Sequence, residues 1–134
     1  MAKKIMIVDD DRIFLEELQE ILNSNGYEAE VVSDPMKAVA RAKECHPDLI
    51  LLDLKMPGKS GFQLADELKH RSEVSSIPII AISGFFTDTE HALLMNLCGI
   101  RQCIKKPFSP AEMISQINLE LNKQNGSATC VKRK

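Results

Sequence analysis

Three short runs of apolar residues, rich in Ile, Leu and Val, restrict the possible fold of this chain more than any other feature. They are residues 5–8, 49–52 and 79–82. A strand with one face in water alternates polar and apolar residues, whereas a continuous apolar run is typical of a strand covered on both faces. Segments with helical periodicity lie between these runs. The pattern therefore predicts an α/β fold with a parallel sheet.

The full set of predicted strands follows from these runs and from two weaker ones. The strands are residues 4–8, 28–32, 49–52, 79–83 and 102–105, and a helix is predicted after each of them. Residues 1–122 are therefore predicted to form one domain. Residues 123–134 contain Gly, Ser and Thr next to charged residues, which is typical of a flexible tail or the start of a linker.

Several helix ends are visible as capping patterns. Asp34-Pro35 is typical of an N-cap followed by proline at the first helical position. Thr87 with Glu90 matches a capping box ahead of the fourth helix, and Ser109 with Glu112 matches another ahead of the fifth. These patterns place the predicted helices between the predicted strands.

Composition narrows the class of protein. With 134 residues and 44% apolar content, the chain is long enough for one domain with an ordinary core. A net charge of -2 argues against direct nucleic-acid binding. No apolar run approaches the roughly 20 residues of a membrane span, and no secretory signal is present. The cysteines lack the paired spacing of a zinc or disulfide framework. We expect a cytoplasmic protein with reduced thiols and no membrane partner.

Polar side chains stand at the ends of four predicted strands. In chain order they are Asp9, Asp10 and Asp11, then Asp53, then Ser83, and finally Lys106. The carboxyl ends of parallel strands meet at one edge of a sheet, where open α/β sheets bind their ligands. We therefore expect acids, a hydroxyl and an ammonium group in one crevice.

This combination suits a divalent metal ion and a phosphoryl group. Magnesium prefers oxygen ligands, and Asp10 and Asp53 can bind it directly, with Asp9 acting through water. Asp11 is expected to cap the following helix. Asp53 is ionised at neutral pH and can act as the nucleophile toward phosphorus, while Lys106 and the metal neutralise the phosphoryl oxygens.

The sequence resembles the receiver domains of two-component response regulators over about residues 4 to 122. The resemblance lies in the acid pair, in Leu51-Leu52-Asp53-Leu54-Lys55-Met56-Pro57-Gly58 and in Lys106-Pro107-Phe108. It implies that Asp53 is the phosphoacceptor and that Asp9 and Asp10 bind the metal, together with the main-chain carbonyl of Lys55. It also implies that Ser83 and Gly84 form the switch position and that Lys106, before a cis proline, contacts the phosphoryl group.

The resemblance implies a fold and a function as well. The fold is the flavodoxin-like (βα)5 arrangement with strand order 2-1-3-4-5. A sensor histidine kinase or a histidine phosphotransfer protein would donate phosphate with Mg²⁺ bound, for which Mn²⁺ can substitute. Phosphorylation would shift the surface of the fourth helix, fifth strand and fifth helix toward binding a downstream protein, or toward a weak homodimer. The domain would be a signalling phosphoacceptor rather than an enzyme.

Three positions depart from the usual receiver pattern or vary within it. Most receivers carry an aromatic residue three positions before the lysine, where this chain has Cys103. A cysteine cannot fill the space of a ring, and a small buried hydrophobe is the expected role. Lys55 and Phe85 occupy positions that affect phosphate lifetime in the family, since either side chain can shield the phosphoryl group from water.

Two other hypotheses compete with the receiver. Haloacid-dehalogenase-like phosphohydrolases also use a strand-end aspartate, a lysine and magnesium, and residues 9–11 contain a D-x-D spacing. Against that hypothesis, Ile13 stands where a threonine is expected, and neither a late acidic pair nor a cap domain is present. A pseudo-receiver, which binds partners without phosphorylation, is compatible with Cys103 but not favoured by the complete set of acids, hydroxyl and lysine.

Overall fold

One parallel sheet organises the protein, for which a computed structural model describes residues 2–84, 93 and 96–125. Its strands are β1 Lys4–Val8, β2 Glu28–Val32, β3 Leu49–Asp53, β4 Ile79–Ser83 and β5 Ile100–Lys105. Their order is β2-β1-β3-β4-β5 and all neighbours pair in parallel. The predicted fold and strand order are confirmed. Strand β3 includes Asp53 itself, and β5 begins at Ile100 rather than at the predicted residue 102.

Helices connect the strands as predicted. They are α1 Arg12–Ser24, α2 Ala38–Cys45 after a 3-10 turn at Pro35–Lys37, α3 Gly61–Lys69 and the C-terminal helix Pro110–Asn125. Of the predicted fourth helix, only residues 93, 96 and 97 are described, and these are helical; its capping pair Thr87 and Glu90 lies outside the described residues. The C-terminal helix continues past residue 122, to Asn125. The boundary at residue 122 between the domain and a flexible tail stays a prediction.

The predicted caps fix where the helices begin. The carboxylate of Asp11 accepts hydrogen bonds from the amides of Ile13 and Phe14 at 3.1 and 3.2 Å, so its expected capping role is confirmed. The Ser109 hydroxyl accepts a hydrogen bond from the amide of Glu112 at 3.1 Å. These bonds satisfy amides that have no partner within the first turn of a helix.

Apolar side chains cover both faces of the sheet, which explains the strands without alternation. On one face, α1 and the C-terminal helix pack against the strands through Leu15, Leu18, Leu22, Met113, Ile117 and Leu121. On the other face, α2 and α3 pack through Ala38, Ala42, Leu64, Ala65 and Leu68. Within the described part of the chain, no helix combines the length and the apolar character needed to cross a membrane.

The loop from β3 to α3 folds tightly against the end of β3. The amide of Gly61 donates a hydrogen bond to the carbonyl of Leu54 at 3.0 Å. A Cβ atom on residue 61 would lie 2.4 Å from the carbonyl oxygen of Asp53, closer than real contacts allow. Gly58, in the same loop, has a positive φ of 86° but no atom within 4 Å of such a Cβ. Gly61 therefore lets the loop approach the backbone of Asp53.

A buried carboxylate joins β5 to the C-terminal helix. Glu120 is fully buried and accepts a hydrogen bond from the Gln102 side-chain amide at 3.2 Å. The ammonium group of Lys123 and the guanidinium group of Arg101 each lie 3.7 Å from its oxygens. Among the described residues, its Oε2 atom has no hydrogen-bond partner. Its charge is balanced by cations at the surface.

We expect Gly61→Ala to lower the free energy of unfolding by about 2–3 kcal/mol, because the loop must move away from Asp53. Gly58→Ala is the matched control. It should lower the free energy of unfolding by only about 1 kcal/mol, because it introduces strain at a positive φ but no steric clash. Urea denaturation of both variants checks this. Equal losses would show that the close approach at residue 61 is unimportant.

We expect Glu120→Ala to lower the free energy of unfolding by about 2 kcal/mol, since it removes a buried side chain and the hydrogen bond from Gln102. Glu120→Gln keeps the shape and should lose about half as much. Lys123→Ala removes only an exposed cation and should change stability by less than about 0.5 kcal/mol. Thermal and urea unfolding measure all three, and a Lys123→Ala loss as large as that of Glu120→Ala would contradict this account.

Candidate functional site

Three acids converge at the carboxyl edge of the sheet. Asp9 follows β1 directly and Asp53 ends β3, and the pairing of Val8 with Leu52 places these strand ends side by side. One carboxylate oxygen from each of Asp9, Asp10 and Asp53 lies within 4.8 Å of the others. Asp9 and Asp53 are buried, with 2% and 7% of their surface exposed, whereas Asp10 is exposed. The structure thus brings together the three acids that the sequence singled out.

Backbone amides orient two of these carboxylates. The amide of Asp11 donates a hydrogen bond to Oδ1 of Asp9 at 3.0 Å. The amide of Lys55 donates a hydrogen bond to the carboxylate of Asp53. Both bonds come from the turn that follows the strand, so the loop after each strand fixes the acid at its end.

Lys106 supplies the positive charge of the site. Its Nζ atom lies 3.5 Å from Oδ2 of Asp9 and 4.0 Å from Oδ1 of Asp53. Its backbone amide donates a hydrogen bond to the carbonyl of Ser83 at 2.7 Å, which ties the end of β5 to the end of β4. The peptide bond from Lys106 to Pro107 is cis, as the resemblance implies.

Electrostatics make the acid cluster receptive to a cation. Burial, together with the charges of Asp9 and Asp10, raises the pKa of Asp53 to about 6, against the opposing effects of Lys106 and the amide of Lys55. Burial also raises the pKa of Asp9, against the hydrogen bond from Asp11 and the charge of Lys106. Carboxylate oxygens crowded in this way are a suitable ligand set for a hard divalent ion.

Ser83 and Gly84 lie beside this cluster. Ser83 is the last residue of β4 and is 3% exposed. Its strand neighbour is Lys105, so the end of β4 stands between β3 and the end of β5. Gly84 follows and is exposed. Phe85, the predicted shield of the phosphoryl group, lies outside the described residues.

The remaining predicted positions lie around the site. Cys103 pairs with Ala81 in the sheet and packs, partly buried, against the apolar cluster on the α2 and α3 face. Burial raises the pKa of its thiol to about 11, so the thiol stays uncharged at neutral pH. This environment fits the expected small hydrophobe. The side chain of Lys55 is exposed next to Asp53.

One neighbour of the site was not anticipated from the sequence. The ammonium group of Lys106 lies 4.2 Å from the centre of the Phe14 ring. Phe14 belongs to a set of apolar residues at helical spacing in α1, and that pattern predicts no contact with the site. Its position in the first turn after the acids was the available signal, because that turn must lie close to the strand ends.

An apolar groove opens on the same side of the molecule. It has a volume of about 510 Å³ and runs between α1 and the segment after β5. Its wall is formed by Phe14, Leu18, Ile21, Pro107 and Phe108, with Lys106 at the end nearest the acids.

Comparison with known proteins identifies relatives of this chain. The family model described as "Response regulator receiver domain" matches residues 5–118. The polar-differentiation response regulator DivK of Brucella ovis is 32% identical over 117 residues, which are 87% of this chain and 94% of DivK. The DNA-binding response regulator MtrA of Mycolicibacterium paratuberculosis is 32% identical over 125 residues, which are 93% of this chain. Those residues are 54% of MtrA, so the chain spans about half its length.

A solved structure gives the same result for the fold. The CheY-like receiver domain protein of Methanospirillum hungatei has a TM-score of 0.86 and 27% identity, covering 95% of this chain and 99% of that one. Its fold agrees with the strand order and with the meeting of strand ends described above. The chain therefore belongs to the response regulator receiver domain family, the signalling domains of two-component systems.

Proposed function

We propose that Asp53 accepts a phosphoryl group from phosphohistidine on a sensor histidine kinase or a histidine phosphotransfer protein. The observation that carries this proposal is the cluster of Asp9, Asp10 and Asp53 within 4.8 Å, with the ammonium group of Lys106 at 4.0 Å from Asp53. A nucleophilic oxygen, a set of metal ligands and a fixed cation are the parts that phosphoryl transfer requires. This chemistry takes place in the cytoplasm, where such kinases use their phosphate donor.

Asp9, Asp10 and Asp53, with the main-chain carbonyl of Lys55, would hold Mg²⁺ or Mn²⁺. The oxygen donors and the raised pKa of Asp53 support this assignment. When bound, the cation would neutralise phosphoryl oxygens and relieve the repulsion among the acids.

Asp53 acts as the nucleophile. One of its carboxylate oxygens attacks phosphorus, the P–N bond of the protonated phosphoimidazole breaks, and its electron pair stays on the ring, which leaves as neutral imidazole. Asp53 then carries an acyl phosphate. Lys106 faces the charge that gathers on the phosphoryl oxygens, and the buried position of Asp53 limits access by water.

Ser83 and Gly84 would change position when Asp53 is phosphorylated. A phosphoryl group on Asp53 can draw in the Ser83 hydroxyl, and the loop after β4 would follow. The surface of the fourth helix, β5 and the C-terminal helix would then shift toward binding a downstream protein. Because Cys103 replaces the usual aromatic residue, this route does not depend on a ring changing its rotamer.

Acetyl phosphate with Mg²⁺ should place one phosphoryl group on Asp53, stable in acid and labile in base, as detected by mass spectrometry. Asp53→Asn should take up none. Asp11→Asn should behave as the natural chain does, since asparagine also caps helices well and Asp11 is not part of the acid cluster. A chain that takes up no phosphate would favour the pseudo-receiver, and turnover of p-nitrophenyl phosphate would favour the phosphohydrolase.

Asp53 should also make stability depend on pH and on metal. Its folded pKa of about 6 lies above the unfolded value near 4, so the folded state binds more protons between these values. Its contribution to the free energy of unfolding is therefore favourable below about pH 4 and is lost as pH rises through about 6. At pH 7.5 without metal, Asp53→Asn should be more stable by about 2 kcal/mol.

Added Mg²⁺ should raise the melting temperature of the natural chain and of Asp11→Asn, and raise that of Asp53→Asn much less. Calorimetry with and without EDTA at pH 5 and pH 7.5 measures both effects. A melting temperature that does not respond to Mg²⁺ would refute the metal assignment.

A further inference from the structure

The face of an aromatic ring lies against the one cation of the site. Nζ of Lys106 is 4.2 Å from the centre of the Phe14 ring, while its distances to the nearest oxygens of Asp9 and Asp53 are 3.5 and 4.0 Å. Nζ donates one long hydrogen bond, to Oδ2 of Asp9, and its contact with Asp53 is an ion pair at a greater distance. The ring is the third contact that locates the charge.

The ring is itself held firmly. The amide of Phe14 is hydrogen-bonded by the capping carboxylate of Asp11 at 3.2 Å, which fixes the first turn of α1. The Phe108 ring packs against it nearly edge to face, with centroids 6.0 Å apart and an interplanar angle of 73°. A ring fixed from its backbone and from its side is a rigid support for a flexible lysine.

The Phe14 ring holds the Lys106 ammonium group in a different way from a third carboxylate. It attracts the ammonium group through its electron-rich face without cancelling its charge. With 29% of its side chain exposed, Lys106 is partly desolvated, which strengthens this attraction. The positive charge is thus held in place and remains available to a phosphoryl oxygen.

We propose that Phe14 is a positioning residue for phosphoryl transfer, whose ring face holds the Lys106 ammonium group beside Asp53 before the phosphoryl group arrives. This inference rests on the proposed function of Asp53. The first turn of α1 then takes part in the chemistry of the site, in addition to packing in the core.

Two substitutions separate positioning from packing. Phe14→Leu fills similar apolar space without a π face, whereas Phe14→Tyr keeps the ring. The initial rate of phosphorylation by acetyl phosphate, at saturating Mg²⁺, should fall by about 3–10-fold in Phe14→Leu and stay within about twofold in Phe14→Tyr. Mg²⁺ affinity, measured by calorimetric titration, should be equal in all three proteins.

The effect must act through the lysine. In a Lys106→Ala background, Phe14→Leu should cause no further loss of rate, because there is no cation left to position. A graded test avoids any change in shape: 4-fluoro-, 3,5-difluoro- and 3,4,5-trifluorophenylalanine at position 14 should lower the rate stepwise as the ring face loses electron density. The same series at Phe62, on α3 and packed on the other face of the sheet, should leave the rate unchanged.

A spectroscopic measurement is independent of phosphorylation. The ε-methylene protons of Lys106 should be shifted upfield by the ring, and this shift should vanish in Phe14→Leu and persist in Phe14→Tyr. An unshifted Lys106 signal, equal rates in Phe14→Leu and the natural chain, or an undiminished effect in the Lys106→Ala background would each overturn the inference. A natural chain that takes up no phosphate would overturn the proposed function together with it.

Discussion

Repulsion among three carboxylates at one edge of the sheet is the constraint that the surrounding structure accommodates. Asp9, Asp10 and Asp53 bring oxygens within 4.8 Å of one another, and two of these residues are buried. Burial and mutual repulsion oppose ionisation, which is why the pKa of Asp53 rises to about 6. Such a cluster persists only because the two-sided apolar core holds β1 and β3 in register. Packing holds the site in place together with the attraction between Lys106 and the buried acids.

The same core determines which groups lie next to the carboxylates and offset their negative charge. Strands β4 and β5 both lie on the same side of β3, so Ser83 and Lys106 stand on that side of the cluster, joined by a backbone hydrogen bond. Gly61 allows the loop on the other side to lie against the backbone of Asp53. Asp11 turns the chain from β1 into α1 and places Phe14 over the lysine. The ends of β1 and β3 thus contribute the acids, and backbone amides in the loop after each strand orient Asp9 and Asp53.

The sequence predicts the parts of this arrangement that depend on local pattern. Continuous apolar runs identified the central strands, and capping residues identified the helix starts. The beginning of β5 was predicted two residues late because Arg101 interrupts the apolar pattern after Ile100 in this edge strand. The steric role of Gly61 and the contact between Phe14 and Lys106 were not predicted. The first depends on how tightly one loop folds against Asp53, and the second on the approach of two segments that are remote in the chain; a local pattern gives neither distance.

The hydrogen bond between the main chains of Lys106 and Ser83 has a consequence for the proposed switch. At 2.7 Å it links the tips of two neighbouring strands through atoms that every residue type other than proline possesses. In the proposed switch, a displacement of Ser83 would pass to the tip of β5 through these main-chain atoms, whatever side chains are attached. It would not need the aromatic side chain whose place Cys103 takes.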